Sequence, residues 1–132
     1  MTAAKRAYGT LFKQGGTTIA EVRSVGDVGP EAEMIDVTNF DSTGGWKEFI
    51  PGLIDGGEVQ IEMNFIPGNS SQQGLRTNLT TRASATYSVV WTDSGETWSF
   101  TAYVQSIKPN GGVAEALTAT VTFKITGQMT FA

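Results

Sequence analysis

The sequence predicts a mainly β protein, an antiparallel β-sandwich or barrel with one short α-helix. In several segments apolar residues alternate with polar ones, which is the period of a strand with one buried face. The composition agrees, because 18 threonines, 16 glycines and a charged fraction of only 17% favour strands and turns over long helices. A length of 132 residues predicts a single domain, residues 1–132.

Two long strands and a hairpin carry the clearest alternation. Residues 58–65 and 117–126 each alternate strictly, the first with acidic and the second with threonine-rich polar positions. Residues 85–107 contain two alternating runs around an Asp-Ser-Gly turn, and we expect a β-hairpin there.

Shorter strands are expected nearer the N-terminus. Strands at 10–14 and 17–25 flank a Gly-Gly turn and predict another hairpin. Residues 34–38 predict a strand with Ile35 and Val37 turned inward. The expected total is six or seven antiparallel strands.

One segment has a helical pattern instead. Ser70 and Gln73 have the spacing of a capping box, in which each side chain bonds the backbone of the other residue. Leu75 and Leu79 then lie four residues apart, on one helical face. The helix is expected to end near Arg82 and to cap the sheet.

Residues 39–55 show neither the two-residue period of a strand nor the period of a helix. They contain Gly-Gly and Pro-Gly pairs, which interrupt regular secondary structure. Loops longer than about 12–15 residues are usually functional or disordered, and this one is too apolar for disorder. Either it folds back over its own core, or its large side chains contact another subunit, with Trp46 and Phe49 foremost. The large apolar residues are Phe40, Trp46, Phe49, Ile50, Leu53 and Ile54.

Charge is distributed unevenly along the chain. Residues 27–62 contain nine acidic residues and one lysine, a net charge of −8, whereas the remainder carries +4. This is either chance clustering on a solvated surface or a subunit with oppositely charged ends that docks head to tail.

The absence of cysteine and histidine excludes disulfides, thiolate metal sites and mechanisms that need either side chain. Glu58 and Glu62 on one strand face would lie about 13 Å apart, beyond the usual carboxylate separation of glycosidases. We therefore expect no enzyme, no catalytic or metal-binding residue and no cofactor. No apolar run is long enough to span a membrane, and residues 1–6 do not resemble a secretion signal.

The order of several short motifs is informative. Gly9-Thr10-Leu11 is followed by Thr17–Val22, then Ile35–Thr38, then Gly44–Leu53, then Asp55–Val59. In this order they resemble the tail tube proteins of long, non-contractile-tailed bacteriophages, the lambda-type major tail protein group. The Gly-Gly-Trp to Pro-Gly-Leu block is the most specific part. Some relatives carry a C-terminal immunoglobulin-like domain, which is not expected here.

The resemblance implies a structural protein of the virion, made in the host bacterial cytoplasm. It implies homohexameric rings that stack around a tape-measure protein and let DNA pass without specific binding. Tail assembly chaperones, tail-tip proteins and tail-terminator proteins are the other implied partners. It also implies that the 39–55 loop reaches a neighbouring subunit, with arms at 1–8 and 128–132 ordering on assembly. The implied inter-subunit contacts are Phe40, Trp46, Lys47, Phe49, Ile50 and Leu53.

A DNA conduit should avoid basic side chains that retain phosphates. Glu58, Gln60 and Glu62 share the polar face of one strand, and we expect them to line the lumen. Alternatively, this face lies on the tube exterior, or the polar face of 118–126 lines the lumen, although Lys124 lies on it.

Two other functions are consistent with the same fold. One is a monomeric β-sandwich that binds carbohydrate or acts as an adhesin, with Trp46, Trp91, Trp98 and Tyr103 as a sugar platform. Core packing is the simpler expectation for Trp91 and Trp98. The other is a related tail-end ring whose rings do not stack.

Overall fold

The predicted mainly β fold with one helix is confirmed. The computed structural model describes residue 4 and residues 8–92, 95–113 and 116–131. A short 3-10 turn covers Thr43–Gly45. The strands and the helix are β1 (Leu11–Gln14), β2 (Thr17–Thr18), β3 (Val22–Val25), β4 (Glu31–Asp36), β5 (Phe49–Asp55), β6 (Glu58–Asn64), α1 (Ser70–Thr81), β7 (Ser84–Trp91), β8 (Glu96–Asn110) and β9 (Thr118–Phe131).

Seven strands form one antiparallel sheet in the order β2-β1-β7-β8-β9-β6-β3. The sheet curls so that its two edges approach each other. The link between β2 and β3 bridges them: the Ile19 amide donates to the Phe12 carbonyl at 2.9 Å, and the Asn64 amide donates to the Glu21 carbonyl at 2.9 Å. The fold is therefore a curled, barrel-like sheet.

The core lies on the concave side, where the alternating residues meet. Phe12, Tyr87, Phe100 and Phe123 form an aromatic cluster with ring centroids 4.7 to 6.5 Å apart. Leu75 of α1 is fully buried and belongs to the same core as these aromatic residues, so the helix packs on this side of the sheet. The alternation predicted for β6 and β9 and the β7–β8 hairpin are confirmed.

The strand predicted at 17–25 is wrong as one unit. It stops after Thr18 and resumes at Val22 on the opposite edge of the sheet. Glu21 adopts a left-handed φ of 53°, which breaks the extended backbone between the two pieces. The hairpin expected around the Gly-Gly turn is confirmed for β1 and β2 alone.

The predicted helix is confirmed, but the predicted capping box is wrong. Asn69 is the N-cap, and its side-chain oxygen accepts from the amides of Ser71 at 3.0 Å and Gln72 at 3.3 Å. The helix is followed by Arg82, which has a φ of 58°. A left-handed residue there ends the helix, as expected.

The C-terminal end of the chain differs from the expectation of a free arm. Residues 128–131 continue β9, and Phe131 pairs with Trp98 of β8. That part of the C-terminal arm is therefore ordered in the single chain. Most of the predicted N-terminal arm, residues 1–8, lies outside the described residues, as does Ala132.

The prediction that 39–55 lacks secondary structure is wrong for its second half. Residues 49–55 form β5, which pairs with β4 in a separate two-stranded sheet from Glu31 opposite Asp55 to Asp36 opposite Phe49. We call residues 31–55 the hairpin. Its strand β5 is apolar on both sides and therefore shows no alternation in the sequence.

Candidate functional site

The loop at the tip of the hairpin, residues 37–48, is held together by hydrogen bonds between its own residues. The Val37 amide donates to the Glu48 carbonyl at 2.9 Å, and the Glu48 amide donates to the Thr38 hydroxyl oxygen at 2.8 Å. The Ser42 hydroxyl donates to the Glu48 carboxylate at 3.0 Å. These bonds close the loop and present its aromatic side chains outward.

The hairpin is exposed on both of its faces. Leu53 and Trp46 are 83% and 78% exposed, and Phe40 is fully exposed. Phe49 and Ile50 are about half exposed, and Lys47 is exposed as well. The hairpin therefore does not fold back over the core, and all six residues predicted to contact another subunit lie on this one projecting element.

Sequence reasoning missed two members of this surface. Ile35 and Val37 were expected to point inward, but both are exposed, and Met34 is exposed beside them. The misleading signal was their alternation with Asp36, which is also the pattern of a half-buried strand. The closely spaced acidic residues of β4 were the available sign that this strand has no buried face.

The base of the hairpin is fixed by Asp55. Its carboxylate accepts from the Gly57 amide at 2.8 Å and lies 3.5 Å from the Lys124 ammonium. The Gly57 hydrogen bond, and after it the charge of Lys124, holds the pKa of Asp55 below its usual value. Gly56 is buried against Ile125, where a Cβ atom would overlap that side chain.

A groove of about 930 Å³ separates the hairpin from the end of β9. Leu53 and Ile54 line it on the hairpin side, and Ile125, Met129 and Phe131 line it on the sheet side. An apolar cleft therefore lies between the hairpin and the main sheet.

The three residues predicted to line a lumen lie on the convex, polar face of the sheet. In the β6–β9 pairing Glu58 lies opposite Lys124, Gln60 opposite Thr122 and Glu62 opposite Thr120. Glu58 and Gln60 are exposed, and Glu62 is half-buried. The polar faces of β6 and β9, which the sequence left as alternatives, are therefore one surface.

This polar face is mixed in charge. The Arg23 guanidinium lies 3.2 Å from the Glu62 carboxylate. Lys124 lies directly across from Glu58 and also reaches Asp55. Acidic side chains therefore lie next to basic ones on this face.

The aromatic residues considered as a sugar platform do not meet on one surface. Trp91 and Trp98 pack edge to face at a centroid distance of 5.0 Å and lie against the core. Tyr103 alternates with buried Ala102 and Val104 and so faces the convex side. Trp46 lies on the hairpin. The core packing expected for Trp91 and Trp98 is confirmed.

Within the described residues, no cluster of acidic side chains is placed to hold a metal ion. In the same part of the chain, no helix has the length and apolarity needed to cross a membrane.

Comparison with known proteins gives a family and a set of similar structures. The profile of the lambda phage tail tube protein family matches residues 4–132. No curated protein sequence matches the chain.

Several solved structures have the same fold. A chain from the tail of an empty gene transfer agent particle, refined with C6 symmetry, is 21% identical with a TM-score of 0.85, covering 98% of this chain and 99% of that one. A chain from the sheath/tube terminator of the PVC extracellular contractile injection system is 12% identical with a TM-score of 0.78, covering 100% and 99%. The SPP1 tail tube chain is 14% identical with a TM-score of 0.66, covering 92% and 74%.

Proposed function

The chain belongs to the lambda phage tail tube protein family, and we propose that it is the repeating subunit of the tube, assembled as hexameric rings that stack into a hollow conduit for DNA. As a member of that family it is a structural protein of the phage tail, and its place is the virion. The hexameric ring, the stacking and the passage of DNA are the parts that we propose.

The exposed hairpin is the observation that carries this proposal. A two-stranded hairpin is at best marginally stable alone, and this one has large apolar side chains on both faces in contact with solvent. Burial of one large apolar side chain is worth about 1.5–3 kcal/mol. A surface of this kind is stabilised by contact with another protein surface.

A second copy of the chain is the partner that fits best. The hairpin contains six acidic residues and one lysine, whereas most of the positive charge lies elsewhere in the chain. Such a subunit is complementary to itself in a head-to-tail arrangement, which produces rings or open stacks. The proposed contacts are Phe40, Trp46, Lys47, Phe49, Ile50 and Leu53.

We place the polar face of β6 and β9 at the lumen. Basic side chains bind DNA by displacing counterions from phosphates, and a conduit with free basic groups would retain its cargo. Here Arg23 and Lys124 lie beside carboxylates. Glu58, Gln60 and Glu62 would keep the lining close to neutral and hydrated.

The same role implies further partners. A tape-measure protein would occupy the tube before DNA does. Tail assembly chaperones would bind the subunits or the tape-measure protein before assembly. Tail-tip and tail-terminator proteins would close the two ends of the tube. The interior partner would meet the polar face, and the end partners would meet whichever hairpins or grooves the last ring leaves open.

Negative-stain electron microscopy with light scattering on the purified protein tests the assembly. We expect rings and hollow tubes above a critical concentration. Leu53→Asp should raise that concentration at least about tenfold, because one buried leucine contact is lost and a charge is introduced. Val113→Asp is the matched control, since Val113 is an exposed aliphatic residue outside the hairpin.

Other outcomes separate the competing functions. Closed rings that never stack would indicate a tail-end ring protein. A monomer at all concentrations that binds glycans would overturn the tube proposal in favour of the carbohydrate-binding module. Equal assembly defects in the Leu53 and Val113 variants would show that the hairpin is not the contact between subunits.

The lumen assignment is tested in phage particles. Glu58→Lys combined with Glu62→Lys should lower infectivity, because two extra cations per subunit would hold DNA. Since the new lysines would face Lys124 and Arg23, infectivity is compared only between particles whose tubes have the wild-type length. The control replaces both residues with glutamine, which removes charge without adding a cation. Full infectivity of the double lysine variant would place this face outside the DNA path.

A further inference from the structure

A small apolar groove lies between α1 and the adjoining ends of β6 and β8. It has a volume of about 280 Å³, and Arg76 is its charged lining residue. We call it the helix groove. Its apolar lining includes Met63, Phe65, Leu79, Ile107 and Pro109.

The size of the helix groove suits a side chain better than a free ligand. Small-molecule pockets usually have volumes of about 300–1,000 Å³ and enclose most of the ligand. This groove is just below that range and is open to solvent, since Gln73 and Arg76 on its rim are exposed.

The helix groove and the hairpin lie at opposite ends of β6. The hairpin joins β6 at Glu58, whereas the groove lies beyond Met63, where α1 follows. Because β6 has seven residues, its two ends are about 20 Å apart. Phe40 at the hairpin tip is fully exposed, so the subunit does not fill its own groove.

The charges of the two surfaces are complementary. The hairpin has six acidic residues and one lysine. The helix and its two caps, residues 69–82, contain Arg76 and Arg82 and no acidic residue. An acidic, aromatic projection at one end of the subunit therefore matches a basic, apolar cavity at the other.

We propose that the hairpin tip of one copy, with Phe40 and Trp46, inserts into the helix groove of a neighbouring copy beside Arg76. The inference rests on the proposed tube function and names the surface that receives the hairpin. The apolar walls bury the aromatic rings, and the Arg76 guanidinium can stack on the Trp46 indole. Because the two surfaces differ, the contact is heterologous and repeats from copy to copy.

Disulfide trapping tests this contact, since the natural chain contains no cysteine. Thr43→Cys, at the exposed hairpin tip between Phe40 and Trp46, and Gln73→Cys are made as separate variants, mixed, and oxidised mildly at concentrations where the wild type assembles. Each variant is also oxidised alone, to identify dimers of one variant with itself. We expect a disulfide-linked dimer of the two variants on a non-reducing gel. Thr120→Cys replaces Gln73→Cys in the control, because Thr120 is exposed on the polar face, the side of the sheet opposite to the groove.

The outcomes are distinct. Trapping at least about tenfold faster for Gln73→Cys than for Thr120→Cys supports the contact. Equal or absent trapping between cysteine variants that still form rings or tubes overturns the contact and leaves the tube function standing. Absent trapping in a protein that stays monomeric at every concentration overturns both.

Discussion

Gln72 is buried at the start of α1 and makes three hydrogen bonds to the backbone. Its amide nitrogen donates to the carbonyls of Ala20 at 3.0 Å and Asn64 at 2.9 Å, and its oxygen accepts from the Ile66 amide at 2.8 Å. It thereby fastens the helix to the link that closes the sheet and to the end of β6. Gln72→Ala would leave all three backbone groups without this partner.

The expected cost follows from the number of bonds. A net contribution of about 1 kcal/mol for each hydrogen bond gives a loss of about 3 kcal/mol in the free energy of unfolding. For a domain of this size that corresponds to a fall in Tm of about 10 °C. Urea unfolding of the monomer, followed by tryptophan fluorescence and circular dichroism, measures the loss.

Gln73→Ala is the matched control. Gln73 is the adjacent residue, is exposed, and donates one hydrogen bond to the Pro67 carbonyl at 2.9 Å. We expect its replacement to cost less than about 0.5 kcal/mol. A loss below about 1 kcal/mol for Gln72→Ala, or equal losses for the two variants, would refute the role assigned to Gln72 in closing the sheet.

Three further predictions concern the core and the base of the hairpin. Leu75→Ala should lower the free energy of unfolding by about 2–5 kcal/mol in a urea titration, because the side chain is fully buried. Gly56→Ala should cost about 1–3 kcal/mol in the same titration and speed hydrogen exchange in the hairpin, because the new methyl group would overlap Ile125; unchanged stability would show that the junction yields easily. The lowered pKa of Asp55 means that its stabilising contribution is present above the unfolded value of about 3.9 and is lost as pH falls through the lower folded value. Exchange of the Gly57 amide, corrected for its intrinsic pH dependence, should therefore rise below about pH 3.9, and Asp55→Asn should abolish that rise.

Local patterns in the sequence determined much of the fold. The alternation of Val59, Ile61 and Met63 with polar neighbours identified a strand with one buried face, and the paired runs around the Asp-Ser-Gly turn identified the β7–β8 hairpin. The spacing of Leu75 and Leu79 identified the helix. These features depend on residues close together in the chain, and their period follows from backbone geometry alone.

Other elements depended on contacts between distant parts of the chain. Strand β5 shows no alternation because apolar side chains lie on both of its faces, so the sequence carries no sign of its pairing with β4. The change of sheet edge at Glu21 depends on one left-handed residue, and the N-cap depends on which of two neighbouring polar side chains reaches the helix amides. Local patterns do not specify these choices, because packing elsewhere decides among several allowed backbones.

The candidate site shows the same division. The sequence by itself determined that residues 39–55 carry an unusual set of apolar side chains and that the surrounding span is acidic. Only the tertiary structure decided that these side chains project on an exposed hairpin, that the polar faces of β6 and β9 are one surface, and that a basic groove lies at the other end of β6. The physical reason is that composition fixes which groups a chain must bury or pair, whereas exposure and adjacency arise only when strands that are distant in sequence become neighbours in the sheet.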